Sequence, residues 1–141
     1  MVGDNYAANT GAIFKLNGAG QWKDVTPAPN FPNPSAVFGT ASTDVWVTAP
    51  GVIWHWNGAT WARSYSASHS DGGVETFGEG VARSPTDVWV LGRGFVLHFD
   101  GSSWSRQPMD LSHHFTQPKH TLWGNSDDLR LIGEGMLQYR P

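Results

Sequence analysis

The side chains of this chain that could do chemistry are its aspartates and histidines, and several of them repeat. Asp44, Asp87 and Asp128 each stand directly before a segment of alternating apolar residues. Carboxylates repeated in this way could hold a metal ion or supply acid–base chemistry. Each of them, however, occupies the turn before a strand, where aspartate commonly hydrogen-bonds the local backbone. We therefore expect the three aspartates to have a structural role.

The six histidines fall into two groups. His55 and His98 stand 43 residues apart at one position of a repeated segment, and Lys15 holds that position in an earlier copy, which disfavours a metal. The other four lie in predicted loops: His69, His113, His114 and His120. Their spacing does not bring them together around a metal. We expect no metal and no cofactor.

No phosphate-binding loop, nucleophile elbow or paired-carboxylate motif is present, so we expect a protein that is not an enzyme. The absence of cysteine removes disulfides and thiolate zinc sites. The formal charge of −3 gives no basic field for nucleic acid, and no apolar run is long enough for membrane insertion. The N-terminus lacks the order of a signal peptide.

A tandem repeat of about forty residues sets the architecture. Residues 42–61 align with 85–104 without a gap, so that Trp46 matches Trp89 and Trp61 matches Trp104. Weaker copies lie at 11–22 and 125–141. Apolar residues alternate within each copy, which is typical of β-strands. Asn57-Gly58 and Asp100-Gly101 predict two-residue hairpin turns between them.

Four strands per repeat is the size of one blade of a β-propeller, and we name them A to D from the inside of the blade outward. For the two full repeats we predict strands at 35–40, 44–48, 52–56 and 60–65, and then at 74–82, 87–91, 95–99 and 103–108. The N-terminal copy supplies the end of a B strand at Val2-Gly3, then 12–16 and 21–26, and the C-terminal copy supplies 120–125, 128–132 and 136–140.

These strands predict an all-β fold of four-stranded antiparallel blades, about three blades per chain. They include three A, three B, four C and three D strands, in repeats of roughly 1–34, 35–73, 74–119 and 120–141. Propellers close with at least about four blades, so we expect either a homodimer that closes about six blades or completion by the rest of a longer chain. The repeated tryptophans are expected to fill the space between blades.

The segment 39–61, whose Ser-Thr-Asp-Val-Trp-Val run returns as Ser-Pro-Thr-Asp-Val-Trp-Val at 84–90, resembles the tandem propeller repeats of myxobacterial-type surface proteins. It is also similar to the tectonin repeats of propeller lectins. The resemblance implies a propeller that binds carbohydrate, located outside the cell or at the cell surface. The resemblance is specific for architecture and not for function, because propellers host lectins, scaffolds and enzymes alike.

The connections between strands D and A are long and differ from one repeat to the next, whereas the other connections are short. Long divergent loops on a repeating scaffold commonly carry recognition. We expect these loops and the B-to-C turns to form one ligand-binding face, whose candidate residues are Asn30, Phe31, His69, Asp71, Arg93, His113, His114, Phe115 and Glu134. The leading hypothesis is a non-catalytic, lectin-like binding or adhesion propeller. The alternative is a protein-interaction scaffold, and a glycosidase or lyase propeller ranks third.

Overall fold

The computed structural model describes residues 2–5, 10–28, 30–67, 73–107, 121–125, 127–133 and 135–139, and for 2–5 and 132–139 it describes the backbone only. The described residues form fourteen strands and no helix: β1 (Val2–Asn5), β2 (Thr10–Leu16), β3 (Trp22–Asp24), β4 (Ala36–Ala41), β5 (Asp44–Ala49), β6 (Val52–Trp56), β7 (Trp61–Ser66), β8 (Phe77–Ser84), β9 (Asp87–Gly92), β10 (Phe95–Phe99), β11 (Trp104–Gln107), β12 (Thr121–Gly124), β13 (Leu129–Gly133) and β14 (Gly135–Tyr139).

The strands form four antiparallel sheets in chain order, which confirms the predicted fold class. Strands β4–β7 make a four-stranded first blade and β8–β11 a second blade. They are flanked by a three-stranded N-terminal sheet, β1–β3, and a three-stranded C-terminal sheet, β12–β14. The prediction of three B strands was wrong, because Val2–Asn5 pairs along its length with β2 and adds a fourth. Self-association of the chain stays a prediction.

Each blade buries both of its faces because successive side chains of a strand point to opposite sides. In the first blade Val47 and Trp54 pack toward the N-terminal sheet, in a cluster with Ile13. Trp46 and Ile53 point the other way and pack against the second blade. The core is therefore a series of apolar layers between neighbouring sheets.

The C-to-D loops differ from the prediction in length. Strand β6 ends at Trp56 and β7 begins at Trp61, and these two residues pair, so the loop has four residues. The Asn57 side-chain oxygen accepts hydrogen bonds from the backbone N–H groups of Ala59 and Thr60, at 3.0 and 2.9 Å. Asn and Gly suit four-residue loops as well as two-residue turns, so the composition alone did not decide between them.

Asp100 repeats this arrangement in the second blade. Its carboxylate accepts hydrogen bonds from the backbone N–H groups of Ser102 and Ser103, each at 2.8 Å. Those bonds hold the pKa of Asp100 below its ordinary value.

Within the described part of the chain, no helix has the length and apolar character that a membrane crossing requires.

Candidate binding groove

Three of the nine predicted ligand-binding residues lie in the described part of the chain. Asn30 and Arg93 are exposed, as a binding face requires. Phe31 is fully buried, so its placement on a ligand-binding face was wrong. The other six fall outside the described residues: His69, Asp71, His113, His114, Phe115 and Glu134.

Phe31 turns inward because its neighbourhood is tied to the N-terminal sheet. Its carbonyl oxygen accepts a hydrogen bond from the Gly11 N–H at 2.9 Å, and Pro32 bridges to Thr10. The Phe31 ring then packs against Trp54, with 5.8 Å between the ring centroids. Burying a ring of this size stabilises the interface between the N-terminal sheet and the first blade.

A groove of about 340 Å³ opens beside Trp54, at the level of the B-to-C turn. Its lining residues are Pro32, Pro50, Gly51, Val52, Trp54, Arg63, Ser66 and Ala67. Pro32 and Ala67 belong to D-to-A connections, and Pro50 and Gly51 form the B-to-C turn, so the groove lies on the face that the sequence predicts. Trp54 and Arg63 were missed because they stand on strands, where a tryptophan or arginine is usually read as packing or solvent-exposed.

Trp54 forms the base of the groove. Its side chain is only 9% exposed, and the guanidinium carbon of Arg63 lies 5.2 Å from the centroid of its ring. This distance allows a cation–π contact. The indole N–H is buried and has no hydrogen-bond partner among the described residues. Such a donor costs free energy unless it is satisfied, and unsatisfied donors are uncommon in stable interiors.

The wall of the groove is fixed by the backbone of Gly51. Its N–H donates to the Glu75 carbonyl oxygen at 2.7 Å, and its own carbonyl oxygen accepts from the Ala67 N–H at 3.0 Å. Gly51 has a φ of 72°, a conformation that side chains with a Cβ rarely adopt. The turn and the start of the next connection are thus held together, which fixes this part of the groove wall.

A second constellation repeats in both blades and joins an aspartate, a tryptophan and a histidine. Asp44 accepts hydrogen bonds from Trp46 Nε1 at 3.1 Å and from Thr40 Oγ1, and it lies 2.8 Å from His55 Nε2. The Trp46 and His55 rings stack at 4.0 Å. Burial disfavours the charged carboxylate, but the hydrogen bonds from Thr40, His55 and Trp46 outweigh it, so the pKa of Asp44 is lowered.

In the second blade Asp87 lies 2.7 Å from Trp89 Nε1 and 2.9 Å from His98 Nε2, with Trp89 stacked on His98 at 4.0 Å. In the C-terminal sheet Asp128 accepts a hydrogen bond from Arg130, which stands where the blades have tryptophan. The aspartates are therefore acceptors within their own blade. The carboxylates of Asp44 and Asp87 each receive a tryptophan indole N–H and face a histidine, so their geometry supports packing more directly than catalysis.

The outer tryptophans join neighbouring sheets. Trp61 Nε1 donates to the Val25 carbonyl oxygen at 2.8 Å, and Trp104 Nε1 donates to Ser64 Oγ at 3.0 Å. Val25 and Ser64 hold equivalent places, because each follows the outer tryptophan of its own sheet, Trp22 or Trp61, by three residues.

Among the residues that the structure describes, no three His, Asp or Glu side chains gather as metal ligands.

The chain matches no protein-family model and no curated protein sequence. Among solved structures it is similar to YCF48 from Cyanidioschyzon merolae, a β-propeller protein, with a TM-score of 0.58 and 16% identity over 96% of this chain and 45% of that one. The likeness is one of fold. A structure of YCF48 bound to D1 peptide gives a TM-score of 0.37 and 14% identity over 93% of this chain and 58% of that one. The chain thus spans less than half the length of the first YCF48 chain.

Proposed function

We propose that this chain is a non-catalytic, protein-interaction propeller module that holds an extended segment of a partner protein in the groove. The observation that carries the proposal is the groove itself, a cavity of about 340 Å³ with a tryptophan at its base and one cation on its wall. Peptide-binding sites commonly combine an apolar pocket for one side chain with few polar groups that fix its orientation.

The chemistry of the lining favours a peptide over a sugar. Pro32, Pro50, Val52 and Ala67 present apolar surface, and the side-chain polar groups that line the groove with them belong to Arg63, Ser66 and Trp54. A sugar offers hydroxyl groups around its whole ring, each of which needs a partner when water is removed. Among the described lining residues only Arg63, Ser66 and Trp54 carry side-chain donors or acceptors for such a ligand, whereas an apolar peptide side chain needs none.

The strand beside the groove can also serve a peptide. Strand β7, which carries Arg63 and Ser66, is the outermost strand of the first blade. The outer edge of such a strand offers backbone N–H and C=O groups to an added strand. A bound segment would then gain backbone hydrogen bonds along β7 while one side chain enters the groove.

Carbohydrate binding in the same groove is the rival hypothesis, and the described lining favours it less than peptide binding. A location outside the cell and the absence of enzymatic activity both remain parts of the proposal.

The test selects ligands from a random-peptide display library on the immobilised chain and measures the affinity of the enriched peptides by fluorescence polarisation. Ser66→Tyr places a ring in the groove from an exposed position, and Ala62→Tyr places the same ring on the opposite face of the same strand. We expect the Ser66 variant to bind at least about tenfold more weakly and the Ala62 variant to bind like the parent, a difference of about 1.4 kcal/mol.

Peptides that bind the Ser66 variant as tightly as the parent, or a library that yields no ligand, would contradict the proposal. A glycan array is screened in parallel with the same two variants. Glycan binding that is lost in the Ser66 variant would support the lectin-like hypothesis instead.

A further inference from the structure

Arg63 and Arg106 hold the same place in the two blades. Each stands two residues after the outer tryptophan of its D strand, and each guanidinium lies over an aromatic ring of the neighbouring C strand. The distance from the guanidinium carbon to the ring centroid is 5.2 Å for Arg63 over Trp54 and 4.0 Å for Arg106 over Phe95. The two arginines are therefore a matched pair within one molecule.

The second blade satisfies its arginine from within the chain. Arg106 forms an ion pair with Glu75, whose side chain is 5% exposed. The space around this pair is filled by aromatic rings, since Phe77 packs on Phe95 at 6.3 Å and on Tyr65 at 5.7 Å. A buried carboxylate, a half-exposed guanidinium and a ring thus form a cluster beside the interface between the two blades.

The first blade places its arginine over a different ring, since Trp54 stands where the second blade has Leu97. Val52, which lines the groove, stands where the second blade has Phe95. In the described part of the chain no carboxylate lies within ion-pair distance of Arg63. The guanidinium is left at the wall of a cavity with its donors available.

We infer that the groove recognises an acidic side chain of the bound peptide, whose carboxylate takes at Arg63 the place that Glu75 takes at Arg106. The inference rests on the proposed function and names the chemistry of the ligand. Arg63 suits this role because a guanidinium presents a planar fork of donors that matches a carboxylate. The contact with Trp54 holds the exposed guanidinium beside the groove.

The experiment uses two probes that differ in one group, the acetylated tripeptide amides Leu-Glu-Leu and Leu-Gln-Leu. Their dissociation constants are measured by NMR titration of the ¹⁵N-labelled chain, with the indole N–H resonance of Trp54 as the local reporter. We expect the glutamate peptide to bind at least about fivefold more tightly than the glutamine peptide, because only the former carries the charge that Arg63 complements.

Arg63→Gln should abolish this preference, and Arg63→Lys should restore part of it through charge alone. Lys15→Gln is the matched control, since it also removes one positive charge from an exposed position. Lys15 lies near the end of β2, whereas the start of that strand, Thr10, is the part that bridges to Pro32 of the groove. This control should leave the preference intact, and about 0.5 M salt should reduce the preference in the parent.

Equal binding of the two peptides would overturn the inference and leave the proposed function standing. Binding of neither peptide, together with a display library that yields no groove ligand, would overturn both. Asp71→Asn tests whether a carboxylate of the chain itself pairs with Arg63. If this variant, and none of the others, binds the glutamate peptide at least fivefold more tightly than the parent does, Arg63 pairs with Asp71 and the inference fails.

Discussion

At the scale of single residues, Asp44 is where burial and hydrogen bonding oppose each other most directly. Its carboxylate is almost completely buried, yet its pKa is lowered because Thr40, His55 and Trp46 donate to it or face it. A carboxylate whose pKa falls on folding stabilises the protein fully above the unfolded value of about 3.9. That stabilisation is lost as the pH falls through the lower folded value.

We therefore expect Asp44→Asn to reduce the free energy of unfolding by about 1–3 kcal/mol near neutral pH, because the amide cannot satisfy the same donors. At about pH 2 the reduction should be smaller, since this pH lies below the unfolded value and the parent has then lost part of its own contribution. Urea denaturation followed by tryptophan fluorescence measures both values. Asp127→Asn, at an exposed position, should change the free energy of unfolding little at either pH. An equal loss for Asp44→Asn at both pH values would contradict the expectation.

The sequence predicted which residues repeat better than which residues bind. The registers of Asp44 with Asp87 and of Trp46 with Trp89 follow from spacing and carry over into matching networks. Phe31 could not be assigned from its type, because an aromatic residue in a loop can point to either side. Its direction depends on the backbone bond to Gly11, a contact between segments that are distant in the sequence.

At the scale of elements, the C-to-D loop makes a specific demand on Gly58. This residue has a φ of 96°, and a Cβ placed on it would lie 2.9 Å from Thr43 Cγ2. We expect Gly58→Ala to lower the free energy of unfolding by about 1–2 kcal/mol, because the left-handed conformation and the close contact both penalise a side chain.

Gly18 provides the control for this loop in the N-terminal sheet. It follows Asn17 as Gly58 follows Asn57, but it has no positive φ and a Cβ there would meet nothing within 4 Å. Gly18→Ala should therefore change the free energy of unfolding by at most about 0.5 kcal/mol. Equal effects of the two substitutions in thermal and urea denaturation would show that loop geometry does not decide the cost.

Elements were predictable where two signals agreed. The predicted strands at 52–56 and 95–99 match Val52–Trp56 and Phe95–Phe99, because alternation and repeat register pointed to the same residues. The predicted strand at 21–26 is shorter in the structure, Trp22–Asp24. There Thr26 turns its hydroxyl to Asp24 and donates its N–H to the same carboxylate at 2.9 Å. Side-chain bonds of this kind end a strand without any change in apolar pattern.

At the scale of the whole molecule, the sheets are joined mainly through side chains. In each blade the outer tryptophan reaches the preceding sheet. Its counterpart in the N-terminal sheet is Trp22, which is 53% exposed and pairs with Leu16, itself 50% exposed. Spacing predicted this inter-sheet role for the repeated tryptophans. It did not predict the groove, which depends on how two connections meet.

The packing between the two blades predicts a coupling between Phe38 and Gly80. A Cβ on Gly80 would lie 2.3 Å from Phe38 Cζ and 2.9 Å from the Trp89 carbonyl oxygen. Gly80→Ala should therefore cost about 1–3 kcal/mol through overpacking, and Phe38→Ala about 2–4 kcal/mol through a cavity. In the double variant the added methyl group no longer meets the Phe38 ring, although the Trp89 carbonyl oxygen stays close, so the combined loss should fall short of the sum by about 1 kcal/mol.

Gly78, two residues earlier on β8, supplies the control for this cycle. A Cβ there would meet only the Leu91 carbonyl oxygen within 4 Å, at 3.7 Å. Gly78→Ala should cost less than Gly80→Ala and should add to Phe38→Ala without coupling, because the two sites share no contact. All five variants are compared by urea denaturation with the parent. If the pair at Phe38 and Gly80 is as additive as the control pair, the blades do not meet through these residues, and the layered core described for the molecule does not extend to this contact.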